Sequence, residues 1–202
     1  MVEVEKKFLL SDEQKTQLLD GAEFLYEKVI TDSYLDDNNY SITKADLWLR
    51  LRDGVFELKA PLLSGSGSYD GANRYRELTE DSEIVDELAL SVDRPLKNEL
   101  GRLGILPFVT SYTTRQSYAK QGFTIDIDSA TYKNTDFTYN VAEIELLAED
   151  ESQADACEEH IMMFAKQYGL ETNSVVLGKV AAYLQHERRG HYEALVKARV
   201  LK

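Results

Sequence analysis

The sequence predicts a single α+β domain over residues 1–202. Three observations point there. Short segments alternate apolar and polar residues with a period of two, as half-buried strands do. Other stretches carry apolar residues at spacings of three and four, as amphipathic helices do. No repeat or domain boundary divides the chain, and its length suits one core.

The elements follow in order. Residues 2–10 alternate and read as a strand. Ser11 followed by Gln14 predicts a capping box for a helix that Gly21 closes. Strand patterns cover residues 47–52, 55–60 and 74–78, and Ser64 to Ser68 reads as a hairpin loop between the last two. Two short helices are expected over 81–91 and 96–103, then strands over 112–118, 123–128 and 141–147. Glu149, Asp150 and Glu151 suit a helix start, where the dipole favours acids. Ala154, Cys157, Ile161, Phe164 and Tyr168 form one apolar stripe, so residues 152–168 are helical with Cys157 in the core. Two more helices are predicted over 177–186 and 191–200.

Composition excludes several classes. Hydrophobic residues make up 43% of the chain, enough for a core. Lys and Arg number 23 against 36 Asp and Glu, a net charge of −13, which repels a nucleic-acid backbone at long range. One cysteine supports neither a disulfide framework nor a thiolate zinc cluster, and a reducing, cytoplasmic compartment is expected. No apolar run approaches the roughly 18 residues of a membrane span, and the opening residues show no apolar signal core. His160, His186 and His191 are spaced poorly for a metal site and read as structural. Hydroxyls are plentiful, but no nucleophile–base arrangement is visible.

The charges on the strands are the informative feature. Residues i and i+2 share a face. Glu3, Glu5 and Lys7 therefore lie together, as do Arg50 with Arg52, Glu57 with Lys59, Asp126 with Asp128, and Glu143 with Glu145. Glu77 and Arg115 appear singly on further strands. Acids are depleted on exposed strand faces. The ordinary alternative is a one-sided sheet with a solvated charged face. The functional reading is that the sheet curls, its apolar face is covered by helices, and the charged faces line a lumen. Carboxylate oxygens there suit Mg²⁺ or Mn²⁺. The cations suit an anion with several phosphates, which Arg forks grip in a bidentate manner. No Walker A loop or Gly-rich dinucleotide turn is present.

With Glu3-Val4-Glu5-Lys6-Lys7 at its start, the chain resembles the CYTH superfamily, the triphosphate tunnel metalloenzymes. The pattern continues in order through Arg50-Leu51-Arg52, Glu57-Leu58-Lys59, Arg76-Glu77-Leu78, Arg115, Asp126-Ile127-Asp128, Glu143-Ile144-Glu145 and Lys179. The resemblance implies a closed eight-stranded antiparallel β-barrel with helices packed outside. It implies that Lys7, Arg50, Arg52, Lys59, Arg115 and Lys179 bind the triphosphate. It assigns Glu3, Glu5 and Glu145 to one metal, and Asp126 and Glu143, sharing Glu145, to a second. Lys59, Glu143 and Glu145 are the residues it places at the chemistry, with Glu57, Glu77 and Asp128 in support. Within the superfamily the chain is similar to the animal thiamine triphosphatases, through Thr31-Asp32-Ser33-Tyr34-Leu35-Asp36 and Ala45-Asp46-Leu47-Trp48-Leu49-Arg50. That similarity implies thiamine contacts from Tyr34 and Trp48, while packing at a barrel rim is the plain alternative for both. The expected function is a Mg²⁺-dependent, monomeric hydrolase that removes the terminal phosphate of thiamine triphosphate. The alternatives are an inorganic tripolyphosphatase, an adenylate cyclase and a non-catalytic triphosphate-binding module.

Overall fold

The structure, a computed structural model, describes residues 2–61, 73–91 and 94–201. The Ser/Gly loop expected at 64–68 lies outside the described residues. Eight strands form a closed antiparallel barrel: β1 Val2–Phe8, β2 Glu23–Asp36, β3 Trp48–Arg52, β4 Val55–Pro61, β5 Asn73–Leu78, β6 Leu106–Lys120, β7 Phe123–Tyr132 and β8 Thr138–Ala148. Their order around the barrel is β1-β5-β4-β3-β2-β6-β7-β8, and β8 pairs back onto β1. The curled sheet is realised, and the flat one-sided sheet is not.

Two tight turns set the registers that matter. Asp53 and Gly54 have φ of 48 and 94, and Gln121 and Gly122 have φ of 52 and 87. Two residues at positive φ twist a hairpin as its strands require. The first turn places Arg50 beside Glu57 and Trp48 beside Lys59. The second places Arg115 beside Asp128. A slip of one residue would turn every charge outward.

The helices cover the apolar face in three sections. Helix α1 Asp12–Leu19 starts at the predicted capping box: Gln14 N donates to Ser11 Oγ at 3.2 Å, and Ser11 N donates to Gln14 Oε1 at 3.0 Å. Its Leu18 joins α4 Ala154–Gln167 over β1 and β8, where Val4, Ile144, Ile161 and Phe164 are buried and Cys157 packs at the margin. Truncating Phe164 to Ala would cost about 3–5 kcal/mol. Helices α2 Asp81–Glu87 and α3 Leu96–Arg102 cover Leu49 and Leu58. Helices α5 Lys179–Glu187 and α6 Arg189–Lys197 cover Ala130 and Tyr132. The acidic run before α4 caps a short 3-10 turn, with Ser152 N donating to Asp150 Oδ1.

Two strands depart from expectation. Strand β2 is not marked by alternation, because Phe24, Leu25 and Tyr26 run together and its first seven residues are exposed. Strand β6 begins at Leu106 rather than residue 112, and a register shift at Tyr34 and Leu35 accommodates Pro107.

Candidate active site

The strand faces converge as their parity predicts. The barrel encloses a cavity of about 300 Å³. Glu3, Glu5, Lys7, Arg50, Arg52, Lys59, Glu77, Arg115, Glu143, Glu145 and Lys179 line it, together with Tyr34 and Trp48. Glu57, Asp126 and Asp128 stand behind this lining and hold its arginines. Lys179 comes from the first turn of α5, not from a strand. Strand parity says nothing about such a position.

Two walls of the cavity are cationic. On one, the Arg50 side chain is 5% exposed; its Nε donates to Glu57 at 2.7 Å and its Nη2 to Glu77 at 2.5 Å. Arg52 forks onto Asp32 at 2.7 and 2.9 Å. Lys59 donates to Glu3 at 3.0 Å. On the other wall, Arg115 forks onto Asp128 at 2.8 and 2.7 Å, donates to Glu143 at 2.6 Å and pairs with Asp126. Lys179 donates to Glu143 at 2.9 Å and to Asp128. Lys7 bridges toward the acids, pairing with Glu5 and lying 4.0 Å from Glu143. Burial alone would raise the Glu143 carboxyl; Lys179, then Lys7 and Arg115, overturn this against Glu5 and hold it at about 2. Burial likewise works against charge on Lys59, but Glu5 and Glu3 keep it protonated.

The third region is acidic. Oxygens of Glu3, Glu5 and Glu145 all lie within 4.8 Å of one another. Burial raises the Glu3 carboxyl, with Glu5 adding to the rise and Lys59 opposing it. Glu5 is held well below the usual range, because Lys59 and Lys7 outweigh its burial. Glu145 forms no ion pair among the described residues. Burial first, then Glu3, Asp126 and Glu5, push it up to about 8, against Arg115. Three hard oxygen donors with a shortage of countercharge suit a divalent cation such as Mg²⁺. The other predicted acids do not meet in this way: Asp126 and Glu143 are taken up by Arg115 and Lys179.

The cavity has an apolar end, where Val180, Val200 and Leu201 contribute to the lining. Tyr34 and Trp48 line it and pack in the cluster that holds Val200 and Leu201. Both rings pack in this cluster and also line the cavity. The sequence reading missed Asp32 and Tyr75. Asp32 is 2% exposed and anchors Arg52. Its signal was the i, i+2 pairing with Tyr34 on a strand whose alternation is broken. Tyr75 lines the cavity from β5, opposite Glu3 in register.

Two of the three histidines make packing contacts outside the cavity. His160 is exposed. His186 stacks on Phe137 at 4.5 Å. His191 is 2% exposed, stacks on Tyr40 at 3.8 Å and hydrogen-bonds Thr43 Oγ1 at 2.8 Å. Thr43 gives its proton to Asp36 at 2.6 Å, so His191 Nε2 is the donor to Thr43.

Comparison with known proteins agrees with this geometry. The CYTH domain family matches residues 1–178. Thiamine-triphosphatase of Homo sapiens is 31% identical over 216 residues, covering 98% of this chain and 90% of that protein. Among solved structures, the PH1819 protein of Pyrococcus horikoshii OT3 superposes with a TM-score of 0.58 at 22% identity, covering 87% of this chain and 94% of that one. HpAC1 of Hippeastrum, for which a dominant triphosphatase activity is described, superposes with a TM-score of 0.54 at 16% identity, covering 94% of this chain and 95% of that one.

Proposed function

This chain belongs to the CYTH family, and from that premise we propose that it hydrolyses triphosphates, with thiamine triphosphate as the substrate. The observation that carries the reading is the junction of two cationic walls with the acidic corner in one cavity. The family and the curated relatives support triphosphate hydrolysis as the class of reaction. The choice of thiamine triphosphate rests on the identity to the human enzyme and on the rings of Tyr34 and Trp48 at the apolar end. A thiazolium against an indole face gains about 0.5–2 kcal/mol.

Water attacks the terminal phosphorus, the bond to the bridging oxygen breaks, and the diphosphate leaves with that bond's electron pair. Arg50, Arg52, Arg115, Lys7, Lys59 and Lys179 are held ready by carboxylates and turn to phosphate oxygens when substrate enters. Charge then gathering on the leaving diphosphate meets fixed donors that need little reorganisation. Glu3, Glu5 and Glu145 would hold one Mg²⁺, which supplies charge neutralisation on the phosphate oxygens. Asp126 and Glu143 can serve a second metal only once Arg115 and Lys179 have passed to the substrate. Glu57, Glu77, Asp128 and Asp32 keep the cations aimed inward.

The second reading is an inorganic tripolyphosphatase. It is favoured by the number of cavity positions that are charged rather than aromatic. Phosphate release with Mg²⁺ is measured in parallel on thiamine triphosphate, tripolyphosphate and ATP. Preference for thiamine triphosphate is the expected result. Equal or better turnover of tripolyphosphate would transfer the assignment to the second reading, and no turnover of any would leave a binding module.

A further inference from the structure

We propose that Asp46 is a positioning residue for substrate choice: it fixes Trp48 and Tyr75 as two aromatic walls of the cavity and supplies negative charge behind them. The inference rests on the triphosphatase reading and names what recognises the part of the substrate beyond the phosphates.

Asp46 Oδ1 accepts a hydrogen bond from Trp48 Nε1 at 3.0 Å and another from Tyr75 Oη at 2.9 Å. Trp48 opens β3 and Tyr75 lies on β5, with β4 between them. One oxygen thus joins two strands that share no ladder. Both rings line the cavity, and Asp46 itself does not. The residue sits at φ 59, ψ 27, closing the 3-10 turn Thr43–Ala45, with its N–H donating to Thr43 O at 3.0 Å. Among side-chain-bearing residues, Asp and Asn tolerate that left-handed conformation best. The turn therefore holds the carboxylate in place before any ligand arrives.

The chemistry follows from the pairing. Each ring can rotate about its own side-chain bonds, and the shared acceptor removes that freedom for both. A carboxylate bonded to the indole N–H and the phenol O–H also polarises the rings, making their faces more attractive to a cation. Tyr75 and Trp48 favour the ionised carboxylate, while burial raises its pKa above the ordinary value. The ligand this end would take is a triphosphate ester with a flat cationic group. Inorganic tripolyphosphate, which has none, would not use the clamp.

Trp48 is the only tryptophan in the chain, so tryptophan emission, excited selectively over tyrosine, reports this site alone. Asp46→Gly removes the carboxylate with no backbone penalty at positive φ, and Asp46→Asn keeps an acceptor oxygen without the charge. For Asp46→Gly the expected results are a shifted Trp48 emission, a roughly tenfold rise in KM for thiamine triphosphate, and tripolyphosphate hydrolysis within about twofold of wild type. Asp46→Asn should restore the emission and part of the KM; the remaining deficit measures the charge. Unchanged emission and KM in Asp46→Gly would overturn the proposal. So would an equal loss on both substrates, which would place Asp46 in the general scaffold. If the wild-type enzyme itself shows no preference for thiamine triphosphate, the substrate assignment fails first. The clamp is then judged by the emission alone, which stays unshifted in Asp46→Gly if the clamp is wrong.

Discussion

The Arg115 wall and the Glu3–Glu5–Glu145 corner meet on strand β8, which supplies Glu143 to one and Glu145 to the other, yet they solve opposite problems. Around Arg115 every acid has a cation: Asp126, Asp128 and Glu143 converge on one guanidinium, and Lys179 adds a second charge. In the corner Glu145 has no such partner and is pushed up to about 8 by burial and by its neighbours. The wall has all three of its acids in ion pairs without a ligand. In the corner Lys59 and Lys7 serve Glu3 and Glu5, and Glu145 is left to hold a proton until a cation displaces it. The difference teaches that the wall contributes to folding as well as to binding, whereas the corner is kept at a cost to stability.

The largest effect should come from the wall. Arg115→Ala strands buried Asp126 and leaves Asp128 and Glu143 to Lys179, and breaking a buried pair typically costs about 3–5 kcal/mol. Urea denaturation should show that loss, and hydrolysis should fall by orders of magnitude. A variant with full stability would mean that water, not Arg115, balances those acids. Glu145→Gln should behave in the opposite way. With its pKa pushed up to about 8, Glu145 is largely protonated at neutral pH and Gln reproduces that neutral form, so the midpoint of unfolding should hold. Activity should nevertheless fall by about a thousandfold, equivalent to about 4 kcal/mol of barrier. Near-normal turnover would remove Glu145 from the reaction and dissolve the contrast.

A buried group outside the cavity provides a control for pH. Burial first, with Arg188 adding and Asp36 opposing, lowers His191 from 6.5 to about 4. Between those values the unfolded chain binds the proton and the folded chain refuses it, so stability falls as pH drops from 6.5 to 4 and changes no further below that. The linked loss is about 3 kcal/mol at one pKa unit per 1.36 kcal/mol. His191→Phe, which can still stack on Tyr40, should lose that much less between pH 7 and pH 4. Parallel curves for the two proteins would show that acid sensitivity resides elsewhere, in the tunnel carboxylates.

How much of this was legible in the sequence depended on periodicity. Parity alone grouped Glu3 with Glu5 and Glu143 with Glu145, because each strand is buried on its apolar side and cannot slip. It failed on β2, where the first half has no helix over it and Phe24 and Val29 are 54% and 65% exposed. With no face to bury, that half carries no alternation, so the strand went unread and Asp32, in its buried second half, was lost with it. Lys179 was invisible to parity for another reason: it reaches the cavity from a helix end. Which acids pair and which are left over was also illegible. The sequence shows i, i+2 neighbours, but the balance at Glu145 depends on distances to Glu3, Asp126 and Arg115 on other strands.

The smallest predicted effect sharpens the comparison most directly, because it uses the wild-type protein. A ligand that binds only the folded state stabilises it by about 2.7 kcal/mol at a hundredfold excess over its Kd. Mg²⁺ added to chelator-treated protein should raise the thermal midpoint accordingly, and EDTA should reverse the shift. The same titration on Glu145→Gln should give little or no shift, since the corner has lost one of its three carboxylates. Glu77→Gln, which changes an acid bound to Arg50 on the cationic wall, should keep the shift. A shift that survives in Glu145→Gln would place the cation somewhere other than the corner. A shift lost in both variants would mean that the tunnel responds to its total charge, and that wall and corner do not act as separate regions.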